Sequence, residues 1–141
     1  MTDTPRHSVS VAGIVVNDAG EVLVIRRRDN GHWEPPGGVL EMTETFEDGV
    51  RREVLEETGI SVHVERLTGV YKNMQRGIVA LVFRCAPLEG TGHPTAEVTE
   101  IRWMPLDEVC KAMSPAYAVR VTDALEPVAH TRAHDGVNLL S

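Results

Sequence analysis

Cysteine is scarce in this 141-residue chain: Cys85 and Cys110 are the only two, and they form no CxxC pair. A disulfide-stapled scaffold is excluded, and both thiols are expected to be free and reduced. Long apolar runs are also missing. Val11 to Val16, interrupted by Gly13, is among the longest, far short of the ~20 residues that span a bilayer. Met1 to Ser10 carries no apolar stretch of the secretory kind, so the expectation is a cytoplasmic protein with no membrane role. Positive charge is in deficit, with 14 basic against 21 acidic residues and a net charge of −7. No positive field would draw the chain to nucleic-acid backbones, and a polymeric nucleic acid is not an expected partner. A bound cation or a few local arginines can still invert the potential at a phosphate site. No internal repeat, linker composition or Ser, Cys and His nucleophile arrangement is present. His130 and His134 have a helical ligand spacing but lack the further ligands of a zinc site.

What is present reads as one domain over residues 1–141, mixing strands and helices. Ser8 to Val16 and Glu21 to Arg28 are strand-like, and the turn cluster Asn17-Asp18-Ala19-Gly20 between them predicts a hairpin. Trp33 to Gly38 (WEPPGG) holds two prolines and two glycines, which exclude regular helix and predict a shaped loop. Phe46, Val50 and Val54 then recur every four residues, with Thr45 as N-cap, Asp48 as its third-position partner and Gly59 as terminator. Strand signals return at Ile60 to Glu65, Gly69 to Tyr71, Ile78 to Cys85 and Val98 to Met104, with a loop over Ala86 to Thr95. Pro105 opens a short helix, and a weak helical pattern covers Pro115 to Leu125. Residues 127–141 have no dependable period and read as a flexible tail. The fold class is α/β (α+β), a mixed sheet sandwiched between helices.

The helix ending at Thr58 carries Glu53, Glu56 and Glu57 at spacings of three and four, which puts three carboxylates on one patch. Like charges so placed repel by a few tenths of a kcal/mol per pair, and Arg52 neutralises only part of the patch. Two readings of the spacing stand: a solvated acidic face, or a site for a hard divalent cation that takes clustered oxygen ligands together with substrate phosphates.

The wider pattern separates them. Gly38, Glu44, Arg52, Glu53, Val54, Glu56, Glu57, Gly59 and Ile60 stand in the order G-x5-E-x7-R-E-U-x-E-E-x-G-U, with U aliphatic. Here the chain resembles the Nudix hydrolase family. The diagnostic box runs from Gly38 to Ile60, and agreement at the level of pattern extends over roughly Ser8 to Val109. The resemblance implies a Nudix fold and a MutT-like pyrophosphatase that cleaves the diphosphate of a nucleoside diphosphate derivative, such as a nucleoside triphosphate or ADP-ribose. It implies Mg²⁺ as cofactor, with Mn²⁺ able to substitute. Glu53, Glu56, Glu57 and the Gly38 carbonyl would hold the metal, and Arg52 would orient a glutamate. A catalytically weak nucleotide-binding regulatory module is the alternative, and a capped or triphosphorylated RNA end is a third substrate class, which the acidic composition disfavours. A homodimer is consistent with the family.

Several roles stay open on the sequence alone. The general base is either a box glutamate or one of Glu97 and Glu100, with Glu100 preferred slightly. Glu44 either braces the loop through Arg52 or acts as a helix-start acid. Arg26 and Arg28, sharing one strand face by alternation, either contact substrate phosphate or are solvated. Lys72 and Arg76 are weaker candidates. Trp33 either stacks on a base or packs the Gly-rich loop, with Gly37 beside it in the expected substrate contact. Trp103 is expected in the core.

Overall fold

The computed structural model describes residues 3–140. Strands β1 (Ser8–Val15), β2 (Val22–Arg27), β3 (Trp33–Glu34) and β4 (Gly37–Val39) precede helix α1 (Phe46–Thr58). Strands β5 (Ser61–Asn73), β6 (Ile78–Glu89) and β7 (Val98–Met104), helices α2 (Leu106–Ala112) and α3 (Pro115–Asp123), and strand β8 (His130–His134) follow. A mixed five-stranded sheet has the order β4-β1-β6-β5-β8, and a three-stranded antiparallel sheet has the order β3-β2-β7. The expected mixed sheet flanked by helices is present, with the small second sheet as an addition.

The expected hairpin is not formed. The Asn17 side chain accepts from the N–H groups of Ala19 and Glu21 and shapes the turn, yet the flanking segments share only the isolated bridge Val16–Val22. β1 pairs with β4 and, in parallel, with β6, whereas β2 pairs with β3 and β7. Both strands are continuous apolar runs that need cover on two faces, so their partners come from distant sequence. In β2, Val22 and Val24 enter one core cluster with Ile14, Tyr71 and Val121, while Leu23 enters the other with Val11, Val50 and Val54.

Helix α1 forms as its spacing predicts. The Thr45 side chain accepts from the Asp48 N–H, and Gly59 caps the C-terminus at φ 75°, a conformation that favours glycine. Val50 and Val54 are fully buried against the second cluster. Burying one such side chain stabilises by roughly 1.5–3 kcal/mol, against a few tenths for each carboxylate repulsion on the adjoining flank of the helix. Burial wins, so the helix can carry its acidic patch.

Three other boundaries differ from expectation. WEPPGG supplies the short strands β3 and β4 on either side of Pro35 and Pro36. Ile60 to Glu65 and Gly69 to Tyr71 fuse into β5, whose register shifts at Val64/Arg66 and Leu67/Gly69 interrupt the alternation. β6 continues to Glu89, because β1 leaves it at Cys85 and the freed edge tolerates Pro87. Residues 127–141, expected as a flexible tail, include β8, which pairs in parallel with β5; Ser141 lies outside the described residues. Polar contacts rather than an apolar period hold β8. Arg132 donates to Asp123 at 2.7 and 2.8 Å, and the Tyr71 hydroxyl donates to the same carboxylate at 2.8 Å. Among the described residues, no helix is long and apolar enough to cross a membrane.

Burial opposes ionisation of Asp123, but hydrogen bonds from Arg132 and Tyr71 prevail and hold its carboxyl below the ordinary value. Its contribution is therefore present above the unfolded value, about pH 4, and is lost as pH falls through the lower folded value. Arg132→Met should cost roughly 3 kcal/mol at pH 7, since it strands a buried carboxylate. Urea melts of the two proteins should converge in acid. Equal stability at pH 7 would show that the network does not hold β8.

Candidate active site

α1 presents its acidic face to the backbone of β4. The Gly37 N–H donates to Glu57 Oε1 at 2.7 Å. Gly38 packs directly on Glu53: a Cβ at that position would lie 2.6 Å from the carboxylate carbon. A side chain there would have to push the Glu53 carboxylate aside. Glu56 is exposed, with 61% of its side-chain surface open.

Arg52 ties the loop to this face. Its Nε donates to Glu44 Oε2 at 2.9 Å, its Nη2 to Glu44 Oε1 and the Val39 carbonyl, and its Nη1 to Glu53 at 2.8 Å and Glu56 at 3.3 Å. Glu44 also accepts from the Glu41 N–H. The two readings of Glu44 are thereby separated, since it bridges loop and helix through Arg52. That hydrogen bond, with the Glu41 N–H, holds the Glu44 carboxyl down at about 2. Glu53 and Glu57 move the other way. Burial raises Glu53 against the pull of Arg52. Burial, with neighbouring Glu53, Glu34 and Glu97, pushes Glu57 up to about 8 despite the Gly37 N–H.

A cavity of about 370 Å³ opens over the patch, lined by Glu53, Glu56, Glu57, Thr95, Ala96 and Glu97. Four carboxylates and no basic side chain line it. The later glutamate found here is Glu97, not the preferred Glu100. Glu97 precedes β7, in a turn held by Arg28 N–H to the Glu97 carbonyl at 2.9 Å. Glu100 lies within β7 opposite Arg26 and pairs with it at 3.2 Å. Three-residue spacing could not choose between them, because the strand begins between the two.

Among the described residues, no three Asp, Glu, His or Cys side chains already converge on one point; Glu53 and Glu57 each commit an oxygen to Arg52 or Gly37. The donor chemistry nonetheless fits a hard divalent cation. The donors are carboxylate oxygens, with Glu57 held from ionising chiefly by burial and further by its carboxylate neighbours, and Glu53 packed on the backbone of Gly38.

A second groove of about 410 Å³ adjoins the first and shares Ala96 and Glu97 with it; Arg27, Arg28 and Asp29 complete its lining. Arg28 lies there, donating to the Ala96 and Thr95 carbonyls. Arg26 lies elsewhere, held by the Gly31 carbonyl and Glu100, 5.8 Å from the Trp33 ring centre. Arg27, not singled out from sequence, lines the groove beside Arg28. A register shift between Arg26 and Arg27 breaks the alternation on which the earlier pairing of Arg26 with Arg28 rested. Trp33 is half-buried with the guanidinium groups of Arg26 and Arg102 each 5.8 Å from its ring centre, and lines a separate cavity of about 190 Å³. The Gly37 N–H, expected near substrate, is occupied by Glu57. Trp103 packs against the second core cluster, as expected. Of the weaker candidates, Arg76 lines an inner cavity with Gly37 and Gly38, while Lys72 lies within β5.

The NUDIX domain family model matches residues 6–124 of the chain. The MutT-like protein of Streptomyces ambofaciens is 57% identical over 140 residues, covering 99% of this chain and 91% of that protein. The ADP-ribose pyrophosphatase of Methanocaldococcus jannaschii is 39% identical over 83 residues, 54% of this chain and 48% of that protein. An ADP-ribose pyrophosphatase from Streptococcus suis, known from its crystal structure, is similar in fold with a TM-score of 0.77. The match covers 92% of this chain and 100% of that one at 20% identity.

Gly38→Ala should displace the Glu53 carboxylate without disturbing the core. Mn²⁺ affinity, followed by water-proton relaxation, is expected to fall roughly tenfold or more with little change in melting temperature. Unchanged affinity would remove Glu53 from the cation site.

Proposed function

Because the chain belongs to the NUDIX family, we propose that it is a metal-dependent pyrophosphohydrolase. Its substrate would be the diphosphate linkage of a nucleoside diphosphate derivative such as a nucleoside triphosphate or ADP-ribose. The observation that carries this reading is the cavity lined by four carboxylates and no basic side chain, opening beside a groove whose lining brings in Arg27 and Arg28 along with Asp29 and Glu97. An acidic pocket alone would repel a diphosphate; charged in this way on two sides, it suits a cation and a phosphate chain together.

Glu53, Glu56, Glu57 and the Gly38 carbonyl would hold Mg²⁺, with Mn²⁺ as a substitute. Bound there, the cation supplies charge neutralisation at the phosphate oxygens and a more acidic water. Arg52 acts through its partners, fixing Glu53 from one side and the Glu44 brace from the other. Glu97 is the group at the mouth of the cavity suited to accept a proton from the attacking water. Arg27 and Arg28 face the second phosphate, where negative charge grows as the anhydride bond breaks.

A panel of nucleoside triphosphates and nucleoside diphosphate conjugates, assayed with Mg²⁺, Mn²⁺ or EDTA in ¹⁸O-water, tests this reading. Metal-dependent cleavage with the label in one phosphate product supports it. Nucleotide binding without cleavage would favour a regulatory binding module instead. Glu56→Gln should lower turnover by orders of magnitude with the fold intact, and near-normal turnover at saturating Mg²⁺ would remove it from the site. Glu97→Gln should cost about a hundredfold or more in kcat, the scale of a lost general base. Glu100→Gln, which releases Arg26 only, should cost far less. The reverse ranking would return the base to Glu100.

A further inference from the structure

Glu97 reaches the acidic cavity from the connection between β6 and β7, residues 90–97, which is exposed along most of its length. Exposed connections are ordinarily the mobile parts of a fold, so a side chain carried on one keeps its place only if the backbone is fastened on both sides. On one side Arg28, the residue after β2, donates through its side chain to the Thr95 and Ala96 carbonyls at 3.3 and 2.9 Å, and through its N–H to the Glu97 carbonyl at 2.9 Å. On the other side the connection rests on the C-terminus of α1. Gly90 lies so close to Gly59 that a Cβ on it would collide with the Gly59 carbonyl. The His93 N–H donates to the Thr58 carbonyl at 3.3 Å, one of the terminal carbonyls that a helix leaves without an internal partner. The His93 ring lies against Gly59, where a Cβ would collide with its Cε1 and stand 2.7 Å from its Nδ1. Nδ1 is 3.2 Å from the Thr91 carbonyl, to which an Nδ1–H can donate, and this bond holds the ring over the helix end. Gly59 therefore serves twice, as the left-handed cap of α1 and as the floor under the imidazole.

We propose that His93 is a positioning residue for Glu97: its ring, docked on Gly59, fastens the 90–97 connection to α1 and so holds Glu97 over the box carboxylates. The inference rests on the reading of Glu97 as the proton acceptor given above. Glu53, Glu56 and Glu57 stand in the C-terminal half of α1, so one rigid helix carries the cation ligands and, through His93, sets the distance from them to Glu97. Glu97 is near enough to help push the Glu57 carboxyl up. Among the described residues His93 is not part of the lining of the acidic cavity, so its effect on the reaction runs through the loop. A base must lie within hydrogen-bond reach of the proton it takes, and a misplacement of about 1 Å can cost on the order of a hundredfold in rate. Without the imidazole, the attachment to α1 shrinks to the backbone bond to Thr58 and the approach of Gly90, while the ligands on the helix stay where they are.

The test combines backbone ¹⁵N relaxation with steady-state kinetics of His93→Ala, Glu97→Gln and the double variant. His93 is exposed and lies outside both core clusters, so its replacement leaves the fold intact. In the wild type the Ala96 and Glu97 amides should have order parameters of about 0.85, falling below about 0.6 in His93→Ala. Unchanged values would overturn the proposal, whether or not the protein cleaves any nucleotide. On the substrate that the panel identifies, His93→Ala should lower kcat roughly tenfold to a hundredfold, with KM and Mn²⁺ affinity unchanged. A raised KM at constant kcat would instead place the imidazole on substrate and contradict it. In the Glu97→Gln background the same replacement should cost no more than about twofold, because the group it positions is gone; a full second loss would mean that His93 acts independently of Glu97. If Glu97→Gln alone leaves kcat intact, the reading of Glu97 as base fails, and the relaxation data still decide whether His93 holds the loop.

Discussion

Carboxylates crowded against a glycine backbone are the constraint around which the rest of the molecule is arranged. Glu53 sits where any side chain at residue 38 would be, and Glu57 takes the Gly37 N–H. Neither contact survives unless α1 lies hard against β4. That approach is secured from behind by Val50 and Val54 in the core, and from the side by Arg52, which joins Glu44 to Glu53. The fold thus buries carboxylates that a free helix would leave in water, and Glu57 records the cost in its reluctance to ionise.

Around this point the cavities form a connected series. Glu97 belongs to both the acidic pocket and the arginine groove, and Arg27 to both the groove and the inner cavity. The β2 bulge between Arg26 and Arg27 makes this sharing possible by turning Arg27 and Arg28 toward the same groove. Two guanidinium groups therefore stand a short distance from the box carboxylates, with Asp29 and Glu97 beside them, while the overall chain stays acidic. A phosphate chain can be held locally without a general affinity for nucleic-acid backbones.

Much of this was legible in the residues, for physical reasons. α1 and its caps follow from local periodicity and from Thr45 and Gly59, and the box from a spacing whose chemistry is local to one helix and the loop before it. The placement of β1 and β2 in different sheets was not legible, because continuous apolar strands do not reveal their partners. Nor was the position of Glu97, rather than Glu100, at the acidic cavity, which depends on where β7 begins, or that of Arg27 in the adjoining groove, hidden by a bulge that defeats alternation. β8 escaped notice because Asp123, Arg132 and Tyr71 hold it through polar contacts with no period.

The central claim is that the acidic cavity exists to receive a divalent cation, and proton-linked calorimetry of Mn²⁺ binding tests it most directly. Glu57, pushed up to about 8, is mostly protonated at pH 7, so a cation taking its carboxylate must displace the proton. Titrations in buffers of different ionisation enthalpy should show saturable binding with release of about one proton at pH 7, vanishing once the pH is well above 8. Absence of binding would contradict the claim outright. Binding with no proton released at pH 7 would place the cation away from Glu57.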